Sequence, residues 1–240
     1  METFLVTRPK MQNEQICEFL QSHGCKAIAE PLCDVEFLKY EEDDVAQLKS
    51  GEVQAVFITS YNASKTFLEF NFSKSTPIYA IGKRCVRDIE KAGYKNIKLP
   101  DFPSVKELEK IFLQENPGQL GKVFYFCGNL ITRDLSLTLE QYKFDIIDIT
   151  AYLVKYHEKF SQGFLDIFDG EDVDSVLCYS KNNARCIAKC ADESDLRSKL
   201  DKLNFYAISE EVAAELKKQG FSNVFTFEDH ELLKKYYNLL

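Results

Sequence analysis

The chain has 240 residues, of which 45% are hydrophobic and 28% are charged, an ordinary composition for a globular protein. This length allows one large domain or two small ones, and two domains of this size can each bury a core. The formal net charge of −8 argues against a nucleic-acid-binding protein, which usually carries a basic face, although local donors can still hold a small anion.

The first segment, Met1–Lys10, is strand-like and lacks the apolar run of a signal peptide. No apolar stretch approaches the ~18 residues that a membrane-spanning helix needs. The eight cysteines form no C-x-x-C motif, and the three histidines are scattered along the chain. The sequence therefore predicts a cytosolic protein with reduced core thiols and no metal site.

Apolar patterns predict alternating strands and helices from the first residues onward. The first part of the chain predicts strand Phe4–Thr7, helix Glu14–His23, strand Lys26–Ala29, an alternating ribbon at Asp34–Phe37, helix Glu41–Lys49, strand Val53–Ile58, a helix from Tyr61, strand Ile78–Ile81, a helix ending at Gly93 and strand Asn96–Leu99. This β-α-β-α-β pattern is typical of a parallel sheet covered by helices.

The second half of the chain repeats this plan about 120 residues later. It predicts helix Val105–Gln114, strand Lys122–Cys127, helix Arg133–Gln141, strand Asp145–Ile149, a second ribbon at Thr150–Tyr156, a strand leading to Ser180, a strand leading to Ser209, a short strand near Val224 and a terminal helix at Glu228–Leu240. Two copies of a long repeat indicate paired domains rather than a solenoid.

Two divisions into domains fit these elements. Each half-chain could fold by itself, or the second domain could be inserted into the first. The ribbons follow equivalent strands, so they favour the second division, with linker strands at 31–38 and 150–156. Residues 1–30 and 157–240 would then form domain 1, and residues 39–149 would form domain 2.

Candidate site residues follow the predicted strands, because ligands of doubly wound sheets bind beyond the carboxyl ends of the strands. Hydroxyls, glycines and helix amino ends at this edge can hold an anion. Each candidate also has a simpler interpretation: N-capping for the serines, a surface ion pair for the arginines and packing for the tyrosine. The candidates are Arg8, Thr59, Ser60, Asn62, Gly82, Gly128, Arg133, Tyr152, Ser180 and Ser209.

The order and spacing of these motifs resemble the uroporphyrinogen-III synthase family over nearly the whole chain. The features that carry the resemblance are Val6-Thr7-Arg8-Pro9, Ile58-Thr59-Ser60-Tyr61-Asn62-Ala63, Ala80-Ile81-Gly82, Gly128 with Arg133 and Leu135, Ala151-Tyr152, Ser180, Ile208-Ser209 and Gly220. The chain departs from the family at Cys85 and Val212, where the family often has threonine, so catalysis here is not expected to need a hydroxyl at either position.

The resemblance implies an α/β fold of two flavodoxin-like, doubly wound parallel-sheet domains joined by a two-stranded β linker. It implies that hydroxymethylbilane, a linear tetrapyrrole, loses water and closes to uroporphyrinogen III with ring D inverted. No cofactor, nucleic acid or membrane partner is implied, and a monomer is expected.

Tyr152 is the candidate proton donor for the departing hydroxyl, and the other candidate residues are expected to bind the substrate. A cleft between the domains would favour ring closure by proximity. Two other functions stay open: a two-lobed protein that binds a small anion without catalysis, and a two-domain glycosyltransferase, for which the chain is short and shows no convincing nucleotide site.

Overall fold

The computed structural model describes residues 1–101, 104–131, 133–168 and 173–238, apart from the side chains of Met11 and Arg84. The chain divides into two compact units. Unit 1 contains Met1–Asp34 and Lys155–Leu240, and unit 2 contains Val35–Val154.

The strands of the described residues are, in chain order, β1 (Thr3–Val6), β2 (Lys26–Ala29), β3 (Cys33–Phe37), β4 (Val53–Ile58), β5 (Ile78–Ala80), β6 (Ile97–Lys98), β7 (Lys122–Gly128), β8 (Asp145–Tyr156), β9 (Ser175–Cys178), β10 (Asn204–Ala207) and β11 (Val224–Thr226). The α-helices are α1 (Lys10–Ser22), α2 (Glu42–Leu48), α3 (Tyr61–Phe70), α4 (Lys83–Lys91), α5 (Val105–Glu115), α6 (Leu135–Gln141), α7 (Gln162–Phe168), α8 (Lys181–Glu193), α9 (Arg197–Leu200), α10 (Glu210–Lys218) and α11 (Glu231–Tyr237).

Unit 1 is built on a parallel sheet. Among the described residues its strands lie in the order β11-β10-β9-β1-β2, and every adjacent pair is parallel. Strands β1 and β2 come from the start of the chain and the other three from its end. Parallel neighbours need crossover connections, and helices supply these on both faces of the sheet.

Unit 2 is built on a second sheet, with the order β3-β8-β7-β4-β5-β6 among the described residues. The pairs from β8 to β6 are parallel. Strands β3 and β8 are the two segments in which the chain passes from one unit to the other. Near the start of unit 2 the N–H of Leu38 donates to the carbonyl of Ala151 at 3.1 Å.

The two sheets exchange the halves of the sequence repeat. By sequence position β7 is equivalent to β1, and β4 is equivalent to β9, yet β1 pairs with β9 and β7 pairs with β4. The unit 1 sheet therefore combines two strands from the first half-chain with three from the second, and the unit 2 sheet combines four from the first half-chain with two from the second. When equivalent strands of the repeat are matched, β8-β7-β4-β5-β6 of unit 2 corresponds to β2-β1-β9-β10-β11 of unit 1. The two units therefore share one spatial order of strands but differ in where the chain enters it, as an exchange between equivalent halves would produce.

Hydrophobic residues cover both faces of each sheet, as the pleat of a doubly wound sheet requires. Leu5 of β1 faces one core of unit 1, whereas its neighbours Phe4 and Val6 face the other. In β4, Val56 and Phe57 face opposite cores of unit 2 in the same way. The α/β fold with two mainly parallel sheets, predicted from the alternation of elements and from the resemblance, is confirmed.

Several predicted boundaries need correction. Helix α1 begins at Lys10 rather than Glu14, because Pro9 serves as its N-cap. Helix α6 begins at Leu135 rather than Arg133, because the side chain of Asp134 caps it by accepting from the N–H of Leu137. The strand predicted to end at Ile149 and the ribbon predicted after it are one continuous strand, β8.

The terminal helix is also shorter than predicted. A 3₁₀ turn occupies Phe227–Asp229, and α11 begins only at Glu231. The last two residues of the predicted helix, Leu239 and Leu240, lie outside the described residues.

All eight cysteines are free thiols, and six of them are buried. The described residues contain no cluster of three or more His, Cys, Asp or Glu side chains arranged to hold a metal ion. Within the same part of the chain, no helix has both the length and the apolar composition that crossing a membrane requires.

Candidate functional site

In unit 2 the hydroxyl residues Thr59 and Ser60 follow the buried strand β4 directly. Ser60 is the N-cap of α3, and its hydroxyl oxygen accepts from the N–H of Ala63 at 3.1 Å. The Thr59 hydroxyl donates to Tyr125 Oη at 3.4 Å. Ser60 is therefore an N-cap, as the simpler interpretation predicts, and its hydroxyl also has a second contact.

That second contact is with Tyr152 of β8. Burial raises the pKa of the Tyr152 phenol above its ordinary value, and hydrogen bonding with the Ser60 hydroxyl offsets part of that rise. The Ser60 oxygen already accepts a helix N–H, so its own proton is available to the Tyr152 oxygen. This leaves the tyrosine proton available to an incoming group, and a raised pKa keeps that proton in place at neutral pH.

Gly128 makes room for the Tyr152 ring. The two residues are partners in the register between β7 and β8, at a point where that register shifts. A Cβ on residue 128 would lie 2.6 Å from Cζ of Tyr152 and 2.9 Å from its hydroxyl oxygen. The structure therefore gives Gly128 a role in placing the tyrosine, whereas the sequence predicted only a contact with substrate.

Gly82 and Asn62 begin the helices that follow β5 and β4. Gly82 is the N-cap of α4, and its φ of 82° lies in the region that glycine tolerates best. Asn62 is the second residue of α3 and is half-buried. Cys85, the third residue of α4, is 3% exposed, so its side chain packs inside the unit.

Arg133 forms an ion pair in this structure. Its guanidinium donates from Nε at 3.1 Å and from Nη2 at 2.9 Å, both to Oε2 of Glu109 in α5. The Glu109 side chain is only 10% exposed, so this pair is more shielded than an ordinary surface pair. To bind a substrate, Arg133 must share or exchange this partner.

In unit 1 the N-cap serine has the same two contacts. Ser180 caps α8 and accepts from the N–H of Asn183 at 3.0 Å. Burial and the neighbouring Cys33 raise the pKa of Tyr156, the last residue of β8, to about 12, and hydrogen bonding with Ser180 offsets part of that rise. The pair Tyr156–Ser180 in unit 1 thus corresponds to the pair Tyr152–Ser60 in unit 2.

Arg8 and Ser209 follow the other central strands of the unit 1 sheet. The Arg8 guanidinium carbon lies 4.4 Å from the centroid of the Tyr179 ring, a cation–π contact. Ser209 is the N-cap of α10, but among the described residues its hydroxyl accepts no helix N–H. Val212, on the first turn of the same helix, is 6% exposed and packs in a core of the unit.

The structure thus brings together Thr59, Ser60, Gly128 and Tyr152 at one edge of the unit 2 sheet. It places Arg8, Ser180 and Ser209 after three adjacent strands, β1, β9 and β10, of the unit 1 sheet. Cys85 and Val212 are both buried, so neither side chain is exposed to a ligand at these edges.

The sequence predicted no role for Tyr156 or Lys65. Tyr156 ends the same predicted ribbon that contains Tyr152. Ser180 follows β9 as Ser60 follows β4, and this correspondence could have indicated that Tyr156 lies near Ser180. Lys65 follows the Thr59–Asn62 motif by one helical turn, and no sequence signal distinguishes it from other surface lysines.

Both edges carry neutral hydrogen-bond donors fixed to rigid elements. A hydroxyl that stays protonated can donate to a carboxylate or pass a proton to a leaving group. Such an arrangement suits a reaction that loses water from an anionic substrate.

Comparison with known proteins identifies the family. The family model for uroporphyrinogen-III synthase HemD matches residues 14–232. A curated relative named uroporphyrinogen-III synthase, from Chlorobaculum parvum, is 23% identical over 164 residues, and this match spans 63% of each chain.

Solved structures share the fold. A mutant uroporphyrinogen III synthase from the extremely thermophilic bacterium Thermus thermophilus has a TM-score of 0.66 at 15% identity, covering 100% of this chain and 97% of the other. Uroporphyrinogen-III synthetase from Helicobacter pylori has a TM-score of 0.63 at 14% identity, covering 100% and 99%. The chain belongs to the uroporphyrinogen-III synthase HemD family.

Proposed function

We propose that this chain is a uroporphyrinogen-III synthase, a lyase of haem biosynthesis that converts hydroxymethylbilane to uroporphyrinogen III. The reaction removes the terminal hydroxyl as water, closes the ring and inverts ring D. Family membership supports this proposal over a two-lobed anion-binding protein without catalysis. Among the structural observations, the placement of Tyr152 between Ser60 and Gly128 carries it furthest.

In this proposal Tyr152 donates a proton to the departing hydroxyl. The carbon–oxygen bond breaks, the hydroxyl leaves as water, and the proton released when the ring closes restores the phenol. Hydrogen bonding from Ser60 supports the tyrosine oxygen while it carries negative charge. The tyrosine ring must lie against Gly128 for its hydroxyl to stay near Ser60, so the two residues act together.

The remaining candidate residues bind the acetate and propionate groups of the substrate. Apart from Gly128, they offer hydroxyl groups, guanidinium groups or helix amino ends, which are the donors that carboxylates prefer. These residues are Arg8, Thr59, Ser60, Asn62, Gly82, Gly128, Arg133, Ser180 and Ser209.

We also propose that the enzyme works as a cytoplasmic monomer. The eight free cysteines fit a reducing compartment, and each unit packs its own cores within one chain. Light scattering after gel filtration should give the mass of one chain. A stable dimer would contradict this part of the proposal and leave the reaction untouched.

The decisive experiment supplies freshly made hydroxymethylbilane to the purified chain, without added metal or nucleotide, and separates the product isomers. The type III isomer should dominate and should increase with enzyme concentration. Formation of only the type I isomer, which arises spontaneously, at every enzyme concentration would refute the proposed activity. Tight binding of the substrate without turnover would instead favour the anion-binding alternative.

A further inference from the structure

Lys65 lies on the first turns of α3, on a small cluster of aromatic rings that includes Tyr152. Its Nζ is 4.6 Å from the centroid of the Phe37 ring and 6.0 Å from that of the Tyr61 ring. The Phe37 ring in turn lies 6.5 Å, centroid to centroid, from the Tyr152 ring. Phe37 therefore contacts both the lysine and the tyrosine, and it joins them into one cluster.

Among the described residues, no acidic side chain neutralises the charge of Lys65. Glu69 follows it by one helical turn, the spacing at which lysine and glutamate often pair. Within the part of the chain that the structure describes, however, neither Glu69 nor another carboxylate forms an ion pair with Lys65. Elsewhere in unit 2 such pairs do form, as Lys98 does with Glu115 at 2.8 Å.

The aromatic rings hold the ammonium without using up its hydrogen-bond donors. A cation–π contact is electrostatic and directs the charge over the ring face, so the three N–H groups stay available for an acceptor. Lys65 is half-buried, and Phe37 keeps 36% of its surface exposed, so the cluster is open to a ligand. A lysine positioned in this way loses less conformational freedom on binding an anion than a fully mobile one.

We propose that Lys65 binds a carboxylate of the substrate, an acetate or propionate group of the linear tetrapyrrole, next to Tyr152. Phe37 and Tyr61 position its ammonium for this contact. Lys65 supplies positive charge, which the hydroxyls around Tyr152 do not, and so holds the substrate without taking part in proton transfer. This inference rests on the proposed synthase activity and adds a binding residue to it.

The test compares three variants of the full chain in steady-state assays with fresh hydroxymethylbilane. Lys65→Met keeps the apolar stem and removes the charge, whereas Lys65→Arg keeps both the charge and the ring contact. Lys74→Met is the matched control. The Lys74 Nζ lies 3.8 Å from the centroid of the Tyr94 ring, but Lys74 precedes β5 and so lies at the opposite edge of the sheet.

Lys65→Met should raise KM about 10-fold, the effect of losing one hydrogen bond between charged groups, while kcat stays within about 2-fold of wild type. Lys65→Arg should restore most of the loss, and Lys74→Met should leave KM unchanged. The wild-type KM should also rise with ionic strength more steeply than that of Lys65→Met, because salt screens the attraction. Direct titration with the product, uroporphyrinogen III, under anaerobic conditions should show the same order of affinities.

The inference is overturned if Lys65→Met folds normally and keeps the wild-type KM and product affinity. It is also overturned if Lys74→Met has an equal effect, which would point to a general loss of charge. These outcomes differ from failure of the proposed function, in which the wild-type chain itself would produce no type III isomer.

Discussion

Gly128 and Tyr152 are cross-strand partners whose contact leaves no space for a side chain on residue 128. A Cβ there would lie 2.6 Å from Cζ of the tyrosine, closer than real carbon contacts. The glycine is therefore required by the position of the ring, since its φ is not in the left-handed region. We therefore expect any contribution of Tyr152 to the proposed reaction to depend on Gly128.

Gly128→Ala should displace the Tyr152 ring. We expect the free energy of unfolding to fall by about 1–3 kcal/mol, as in other overpacked cores, and kcat to fall roughly 10- to 100-fold because the hydroxyl is misplaced. Urea denaturation and steady-state assays measure the two effects. Gly118→Ala is the control, because nothing lies within 4 Å of a Cβ built there. Equal behaviour of the two variants would mean that the ring position has no bearing on turnover.

Tyr152→Phe should lower kcat and leave substrate binding nearly intact. General acid catalysis contributes ~10²–10⁴-fold, and we expect the low end because neighbouring donors also assist. Steady-state rates at saturating substrate and product titrations separate the two quantities. Tyr142→Phe, at an exposed tyrosine of the same unit, provides the control. An unchanged maximal rate, with circular dichroism showing an intact fold, would reduce Tyr152 to a packing residue.

The protonation state of Tyr152 leads to a prediction about how kcat depends on pH. Burial raises the pKa of Tyr152 above the ordinary value of 10. The phenol therefore stays protonated across the neutral range, and its ionisation should cause no loss of kcat below about pH 10. A pH–rate profile of the wild-type chain, with Tyr152→Phe alongside, measures this. A loss of kcat between pH 7 and pH 9 that is absent from the variant would contradict it.

Much of this fold could be predicted from the sequence, because apolar runs such as Val53–Ile58 have the length and composition of buried strands. Periodicity could not show that Asp145–Tyr156 is a single strand, since the sequence changes from a short strand pattern before Thr150 to an alternating pattern after it. The long-range pairing of β1 with β9 was likewise not readable from local pattern; only the repeat suggested it.

The positions of candidate residues could be predicted where a residue closely follows a strand, as Ser60 and Ser180 do. Contacts could not be predicted where they depend on register between distant segments. The ion pair of Arg133 with Glu109 and the ring contact of Phe37 with Tyr152 are of this second kind. The types of the residues involved do not predict contacts of this kind.

Ser180→Ala and Thr59→Ala should each weaken product binding by about 1 kcal/mol, the value of one lost hydrogen bond. They should differ in stability. Ser180 caps α8, so its replacement should also lower the free energy of unfolding by about 1 kcal/mol, whereas Thr59 caps no helix. Ser180→Thr keeps both functions and should restore both measurements. Product titration and urea denaturation test the set, and wild-type affinity in both alanine variants would remove these residues from the binding site.

The last prediction concerns the domain layout, in which residues 39–149 are inserted between residues 1–30 and 157–240. The excised fragment 39–149 should unfold cooperatively, because it contains β4 to β7, most of the cores around them and the first part of β8. A longer fragment, 35–154, should be more stable. It retains the carbonyl of Ala151, which accepts from the N–H of Leu38 and from the hydroxyl of Thr66, both at 3.1 Å.

Circular dichroism during urea titration of both fragments, with the fragment 1–115 as comparison, measures this directly. In the inserted layout 1–115 lacks β7 and β8, the neighbours of β4 on one side, and also lacks β9, the partner of β1. It should therefore show no cooperative transition. If 1–115 folds while 39–149 and 35–154 stay unfolded, each half-chain is a folding unit. The inserted layout would then not describe the parts of the chain that fold independently.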